Sequence, residues 1–350
     1  MTERILSLRA ADGYGILLKL SEPEKKGRKA VVFVNGSGPN TYDNKRQLPD
    51  GTLFSYFDLF ASQFTNRKIA FCRYSTRGVF PGEQPPLFAE INEKEYQTYL
   101  PHTSVSDIEA IVLYLNRIGY DKIFLLGWSE GSILAPLVVR NEAVKIDALL
   151  LAGYCNENLK KILTWQLTGN ASLIFYRRLF DYHRRGYISR EDFEEDRFHV
   201  RDQLFGGHSF AEIDLDHDGI LTEKDFAPAS IEHLNAMLRA IESNDDEWLK
   251  NNHSVRLTSA WFKEHFSLKP NKKILPRLNL PIHIFSGEYD MMTPSFYADD
   301  IESEFAKRGK TNLTVHRFQN HDHDLNYMHY IVYGKISEGI MAILNTAAAL

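Results

Sequence analysis

Short, mainly apolar stretches recur at 30–34, 69–73, 123–127, 148–152 and 282–286. Each has the length of a strand and lacks polar alternation, the pattern of strands covered on both faces of a parallel sheet. Two alternating runs, 4–9 and 14–20, flank Ala11-Asp12-Gly13 and predict an antiparallel hairpin. Between several of the apolar stretches the period lengthens to that of a helix. The clearest case begins near Ser104, which with Asp107 three residues on makes a capping signal. It carries Val105, Ile108, Val112 and Leu115 along one face and stops at Gly119. Strand and helix in alternation predict an α/β fold, a mostly parallel sheet flanked by helices, with functional loops at the carboxyl ends of the strands.

The alternation stops after Gly153 and resumes near Pro281. Residues 154–276 are rich in charges and aromatics, among them Trp165, Phe175, Tyr176, Phe180, Trp248, Trp261 and Phe266, at helical spacing. This predicts a largely helical insertion at 154–276, with 1–153 and 277–350 forming one sheet domain. The 350 residues exceed what a single core usually fills, which the insertion explains. Charge narrows the choice of partners. With 41 Lys and Arg against 46 Asp and Glu, a net charge of -5 and no basic block, the chain has no field suited to nucleic acid or an anionic membrane. Its apolar runs are far too short for a transmembrane segment. The N-terminus lacks a basic stretch followed by an apolar one, so no signal peptide is expected. Two cysteines, Cys72 and Cys155, in no metal or redox spacing, fit a reducing compartment, and cytoplasmic localisation is the default expectation.

Chemistry concentrates at Gly127-Trp128-Ser129-Glu130-Gly131, a G-x-S-x-G sequence that follows the apolar run 123–126 and precedes the helix-like 132–140. A serine in such a strand-turn-helix setting is lifted above the sheet, small neighbours clear space around it, and the next N–H, of Glu130, faces a developing oxyanion. Pro136 is expected to kink the helix beyond its first turn. The segment resembles the nucleophile elbow of α/β-hydrolase-fold serine hydrolases, and other motifs agree with that resemblance. Val32-Phe33-Val34-Asn35-Gly36-Ser37-Gly38-Pro39 is similar to the family's loop after the third strand, with Asn35 in place of the usual His; the match makes Ser37 the second oxyanion donor. Arg73-Tyr74-Ser75-Thr76-Arg77-Gly78 resembles the structural R-x-D-x-R-G turn, with Ser75 where Asp is common.

A serine hydroxyl needs a histidine to take its proton, and that histidine needs a carboxylate to fix its tautomer. In this fold the order is Ser, acid, His. Gly287-Glu288-Tyr289-Asp290-Met291-Met292-Thr293-Pro294 resembles the family's G-x-x-D-x-x-T-P loop and makes Asp290 the acid, with Glu288 as local rival. Four histidines follow: His316, His321, His323 and His329. His316 lies in the expected last strand at 312–318 and His329 on or near the final helix. The run Asp322-His323-Asp324-Leu325 resembles the family's D-H-x-L ending, so His323 is the base, with His321 as the rival.

Within the insertion, residues 214–225 fit an EF-hand-type loop. Asp214, Asp216 and Asp218 stand at positions 1, 3 and 5, Gly219 at the sharp turn, the Ile220 carbonyl at position 7 and Thr222 at the water-mediated position 9. Asp225 replaces the usual Glu at position 12, a shorter arm that weakens calcium or admits magnesium. Thirty-three residues upstream, 181–192 reads as a degenerate copy in which His183 and Arg185 replace oxygen ligands; it should bind no cation, and it should pack against the second loop through Ile188 and Leu221. The resemblance implies a carboxylesterase-like hydrolase of small-molecule or acyl esters that needs no cofactor for catalysis, with calcium or magnesium confined to the cap. A thioesterase, an acyltransferase or a peptidase of the same fold fits the same residues. From a different class, so does an inactive scaffold that binds a protein partner in a cation-dependent way.

Overall fold

In a computed structural model, residues 1–25 and 27–350 are described. Eight strands form one twisted sheet: β1 (Thr2–Arg9), β2 (Gly15–Glu22), β3 (Lys29–Val34), β4 (Ile69–Tyr74), β5 (Lys122–Trp128), β6 (Ala148–Ala152), β7 (Ile282–Gly287) and β8 (Leu313–Phe318). Their spatial order is β1-β2-β4-β3-β5-β6-β7-β8. The first hairpin joins antiparallel, and every pair from β4 to β8 is parallel.

The apolar runs are explained by what each face meets. Along β3, Ala30, Val32 and Val34 point into one core and Val31 and Phe33 into another; β5 sends Ile123 and Leu125 one way and Phe124, Leu126 and Trp128 the other. With side chains alternating and both faces covered, these two strands are apolar at both registers; Arg73 in β4 is buried only because Ser21, Tyr42 O and Glu3 pair it. One face is closed by α2 (Pro101–Arg117), α3 (Gly131–Asn141) and α8 (Tyr297–Ala306), the other by α1 (Asp58–Asn66) and α9 (Glu338–Ala349).

Helix α2 begins three residues before the expected start. Pro101 takes its first position, where the absent N–H costs nothing, and Thr103 Oγ1 accepts from Leu100 N–H at 3.1 Å. Ser104 and Asp107 are therefore inside the helix and buried. Asp107 does not cap; it accepts Arg77 Nε at 2.7 Å and Nη2 at 2.6 Å. Arg77 reaches Asp12 as well, which ties the first hairpin to α2. Helix α3 runs to Asn141 with Pro136 inside it.

Between β6 and β7 the chain leaves the sheet through helices that include α4 (Leu159–Trp165), α5 (Ala171–Phe180), α6 (Glu223–Ser243) and α7 (Ser259–Ser267). They enclose two cores of their own. Leu234, Met237, Ile241, Leu249, Trp261 and Phe262 form one, with Tyr96 and Tyr99 of the sheet domain; Phe180, Phe193, Phe205, Phe210 and Phe226 dominate the other. The outgoing and returning segments are stitched together where they meet the sheet. Asn271 Nδ2 donates to the carbonyls of Ser132 at 2.7 Å and Cys155 at 2.8 Å, and Lys272 N–H donates to Asn156 O at 3.2 Å. No helix is long and apolar enough to cross a membrane among the described residues.

Candidate active site

Ser129 stands between β5 and α3 with φ +54°, a left-handed conformation that costs a non-glycine residue about 1–3 kcal/mol and that surrounding structure must impose. Its N–H donates to Ala152 O at 3.0 Å, and its carbonyl accepts Ser132 N–H at 2.9 Å in the first turn of α3. Gly131 lies directly against the Val34 carbonyl, so a side chain there would drive the turn off the end of β3.

The loop after β3 is braced from outside. Asn40 Nδ2 donates to Gly36 O at 2.9 Å and to Gly38 O at 3.2 Å, and Thr76 Oγ1 donates to Gly38 O at 3.0 Å. Asn35 turns away, donating to Tyr74 O at 2.8 Å. Ser75 accepts Tyr42 N–H at 3.1 Å, serving where Asp is common as a backbone acceptor. Among the described residues, neither the Ser37 nor the Glu130 amide has a protein acceptor.

Asp290 lies in the loop after β7, 2% exposed. It accepts N–H from Met292 at 2.8 Å and from Thr293 at 2.7 Å, and the Thr293 hydroxyl at 2.7 Å. Both of its oxygens lie 2.9 Å from His323 Nδ1. Burial alone would lower the His323 pKa, but the charge and hydrogen bond of Asp290, with Asp324 and Asp322 nearby, raise it to about 9. The ring lies over Gly153 at the end of β6, where an added Cβ would sit 2.5 Å from Cε1 and 3.0 Å from Nε2. His323 and Ser129 face one cavity.

The two local rivals are occupied elsewhere. His321 places Nδ1 2.7 Å from Gln319 O and takes Gly339 N–H on Nε2. Glu288 accepts Asn320 N–H at 2.9 Å. His316 is a residue of β8, stacked on Phe285. Cys155 lies beneath the elbow, and burial pushes its thiol up to about 12, too high for a nucleophile.

One feature of the site was not visible in the sequence. The Glu130 side chain is buried and held by three donors from separate parts of the chain: the Tyr99 hydroxyl, Trp261 Nε1 at 3.0 Å and His265 Nε2 at 2.8 Å. Burial raises the Tyr99 pKa well above its usual value, so its hydroxyl keeps the proton it donates. A carboxylate next to the serine in sequence is thus joined to α7. The partners lie 31, 131 and 135 residues away, beyond any local pattern.

Two cavities meet at Ser129. One, of about 340 Å³, runs under the inserted helices between Leu159, Ile162, Leu163, Leu167, Val255 and Phe262. The other, of about 220 Å³, opens past His323 and is lined by Asn40, Asn44, Arg46 and Asp324 together with Phe33, Tyr56 and Trp128.

The acidic loop of the insertion is remote in sequence and packs in the phenylalanine-rich core. One carboxylate oxygen each from Asp214, Asp216 and Asp218 come within 4.8 Å of one another. Asp225 instead accepts N–H from Leu215 at 2.9 Å and Thr222 at 2.7 Å, and Thr222 Oγ1 accepts Lys224 N–H at 3.3 Å as the cap of α6.

No protein-family model and no curated protein matches the sequence. Solved structures do match. A thermostable carboxyl esterase from Bacillus coagulans superposes with TM-score 0.55 at 13% identity, covering 99% of each chain. A proline iminopeptidase from Mycobacterium smegmatis gives 0.53 at 12% identity, again over 99% of each. An alpha/beta hydrolase from Penicillium sp. sh18 gives 0.52 at 13% identity over 100% of both chains. The protein has the α/β-hydrolase fold, with a mostly parallel eight-stranded sheet flanked by helices.

Proposed function

We propose that the chain is a serine hydrolase that cleaves a carboxylic ester through Ser129, His323 and Asp290. The observation that carries this reading is His323 held on Asp290, over Gly153 and beside the cavity that contains Ser129. Ser129 Oγ attacks the ester carbonyl while its proton passes to His323 Nε2, and Asp290 holds the ring by Nδ1 and stabilises the imidazolium. The N–H groups of Glu130 and Ser37 receive the oxyanion. The carbonyl re-forms as the C–O bond to the alcohol breaks, His323 returns its proton to the departing oxygen, and water repeats the sequence on the acyl-serine.

An ester suits the cavity under the inserted helices better than an amino-terminal peptide. Its leucine and isoleucine side chains take an acyl chain, and the smaller cavity past His323 takes the alcohol. Glu130 is the one carboxylate lining the cavity under the inserted helices among the described residues, and three donors already engage it, so that cavity offers no free acid to a substrate ammonium. The chemistry draws on no cofactor. Calcium or magnesium at 214–225 would act on the cap and not on the chemical step, because that loop belongs to a separate core.

The test is hydrolysis of short and medium p-nitrophenyl esters by wild type and Ser129→Ala. The expected loss in kcat is on the order of 10⁴ to 10⁶, with serine labelling by a fluorophosphonate abolished. A folded wild type that neither turns over esters nor labels would overturn the reading and favour a binding scaffold.

A further inference from the structure

The loops 181–192 and 214–225 are two copies of one structure that balance charge in different ways. They meet through Ile188–Ser189 and Ile220–Leu221, paired antiparallel with Ile188 opposite Leu221. In the first copy the protein supplies its own cations. Asp181 Oδ1 accepts Arg185 N–H at 2.7 Å, and Oδ2 accepts Gly186 N–H at 2.9 Å and Arg177 Nε at 3.1 Å. Fully buried Asp192 lies 2.9 Å from His183 Nδ1 and 3.9 Å from the Arg185 guanidinium. Three arginines stand against three acids across those twelve residues.

In the second copy the positions of His183 and Arg185 are taken by Asp216 and Asp218, and five carboxylates stand against Lys224 alone. Lys224 Nζ lies 3.7 Å from Asp216. Asp214 is 4% exposed; Oδ2 accepts Gly219 N–H at 3.0 Å, but Oδ1 is buried with no hydrogen-bond partner. Burying an unpaired carboxylate oxygen beside two further carboxylates is unfavourable unless a cation neutralises them. Asp181 at the equivalent place has no such orphan oxygen; the first copy's one buried oxygen without a hydrogen bond, Asp192 Oδ2, has the Arg185 guanidinium 3.9 Å away.

We propose that Asp214, Asp216 and Asp218, with the Ile220 carbonyl, bind one hard divalent cation, calcium or magnesium, and that the first copy binds none because Arg185 and His183 occupy the cation's place. Three carboxylates and a carbonyl are an all-oxygen donor set, which selects hard cations over zinc or copper. Asp225 stays engaged with the amides of Leu215 and Thr222, so water completes the coordination on its side. The consequence reaches the cavity under the inserted helices. Helix α6 begins inside this loop, packs along 166–170 and contributes Ser230 and His233 to the cavity wall. A bound cation therefore fixes the root of that wall.

The test is isothermal titration and thermal melting of the chelator-treated full chain with CaCl2 and, separately, MgCl2. One saturable site is expected with at least one ion, with a midpoint that climbs with the logarithm of cation concentration. Both effects should vanish in Asp216→Asn/Asp218→Asn. A second variant, Asp216→His/Asp218→Arg, copies the first loop and should fold, with a melting midpoint indifferent to either ion. The absence of both heat and thermal shift in wild type overturns the proposal, as does saturable binding retained in both variants.

Discussion

At His323 two forces oppose each other, and the carboxylates win. Burial disfavours the imidazolium, but Asp290 touches the ring through Nδ1, and Asp324 and Asp322 add their charge, so the pKa stands at about 9 instead of near 6.5. A base works only when unprotonated, so kcat/KM for an ester is expected to rise with pH, with its ascending limb in the alkaline range. Asp290→Asn should shift that limb down toward the ordinary histidine range and lower kcat by about 10⁴, because the ring loses both tautomer and charge. A pH-rate profile of the two proteins checks both shifts. The same proton is linked to stability. A raised folded-state pKa contributes stability that is complete below about 6.5 and is lost as pH climbs through about 9, so the wild-type melting midpoint should fall over that window.

Among the elements, the join between the elbow and α7 carries the sharpest consequence. Glu130 takes donors from Tyr99, Trp261 and His265, so the cap and the proposed oxyanion amide share one residue. Glu130→Ala leaves three buried donors without an acceptor, at a cost of about 3 kcal/mol or more. It should reduce kcat more than it raises KM, whereas Glu130→Gln, which keeps an acceptor in place, should recover most of both losses. Thermal melting and steady-state kinetics separate the two variants. The strands and the elbow were legible in the sequence because their signals are local: an unbroken apolar run means two covered faces, and G-x-S-x-G means a tight turn at a strand end. The start of α2 was misread for the opposite reason. Ser104 and Asp107 imitate a cap, but Asp107 is spoken for by Arg77, thirty residues away, and only the assembled fold shows that pairing. The D-H-x-L pattern favours His323 over His321, and the partners that separate the two, Gln319 and Gly339 for one and Asp290 for the other, appear only in the assembled fold.

For the molecule as a whole, the two cavities that meet at Ser129 give the proposed ester its orientation, with the acyl chain under the inserted helices. Burying methylenes under the cap stabilises the bound ester by about 0.8 kcal/mol each, so kcat/KM for p-nitrophenyl esters should rise from acetate to medium acyl chains and then level off when about 340 Å³ is filled. Leu163→Trp, which fills part of that cavity, should move the optimum to shorter chains while leaving acetate turnover near wild type. Rates across a chain-length series measure it directly.

The stitch at the base of the cap has a further meaning. Asn271 and Lys272 return to the carbonyls of Ser132, Cys155 and Asn156, so the excursion between β6 and β7 begins and ends at one place. The entropy of closing a loop grows only with the logarithm of its length. Seen from the strands, the excursion is one closed turn that can be lengthened or trimmed at small entropic cost, provided Trp261 and His265 stay on Glu130.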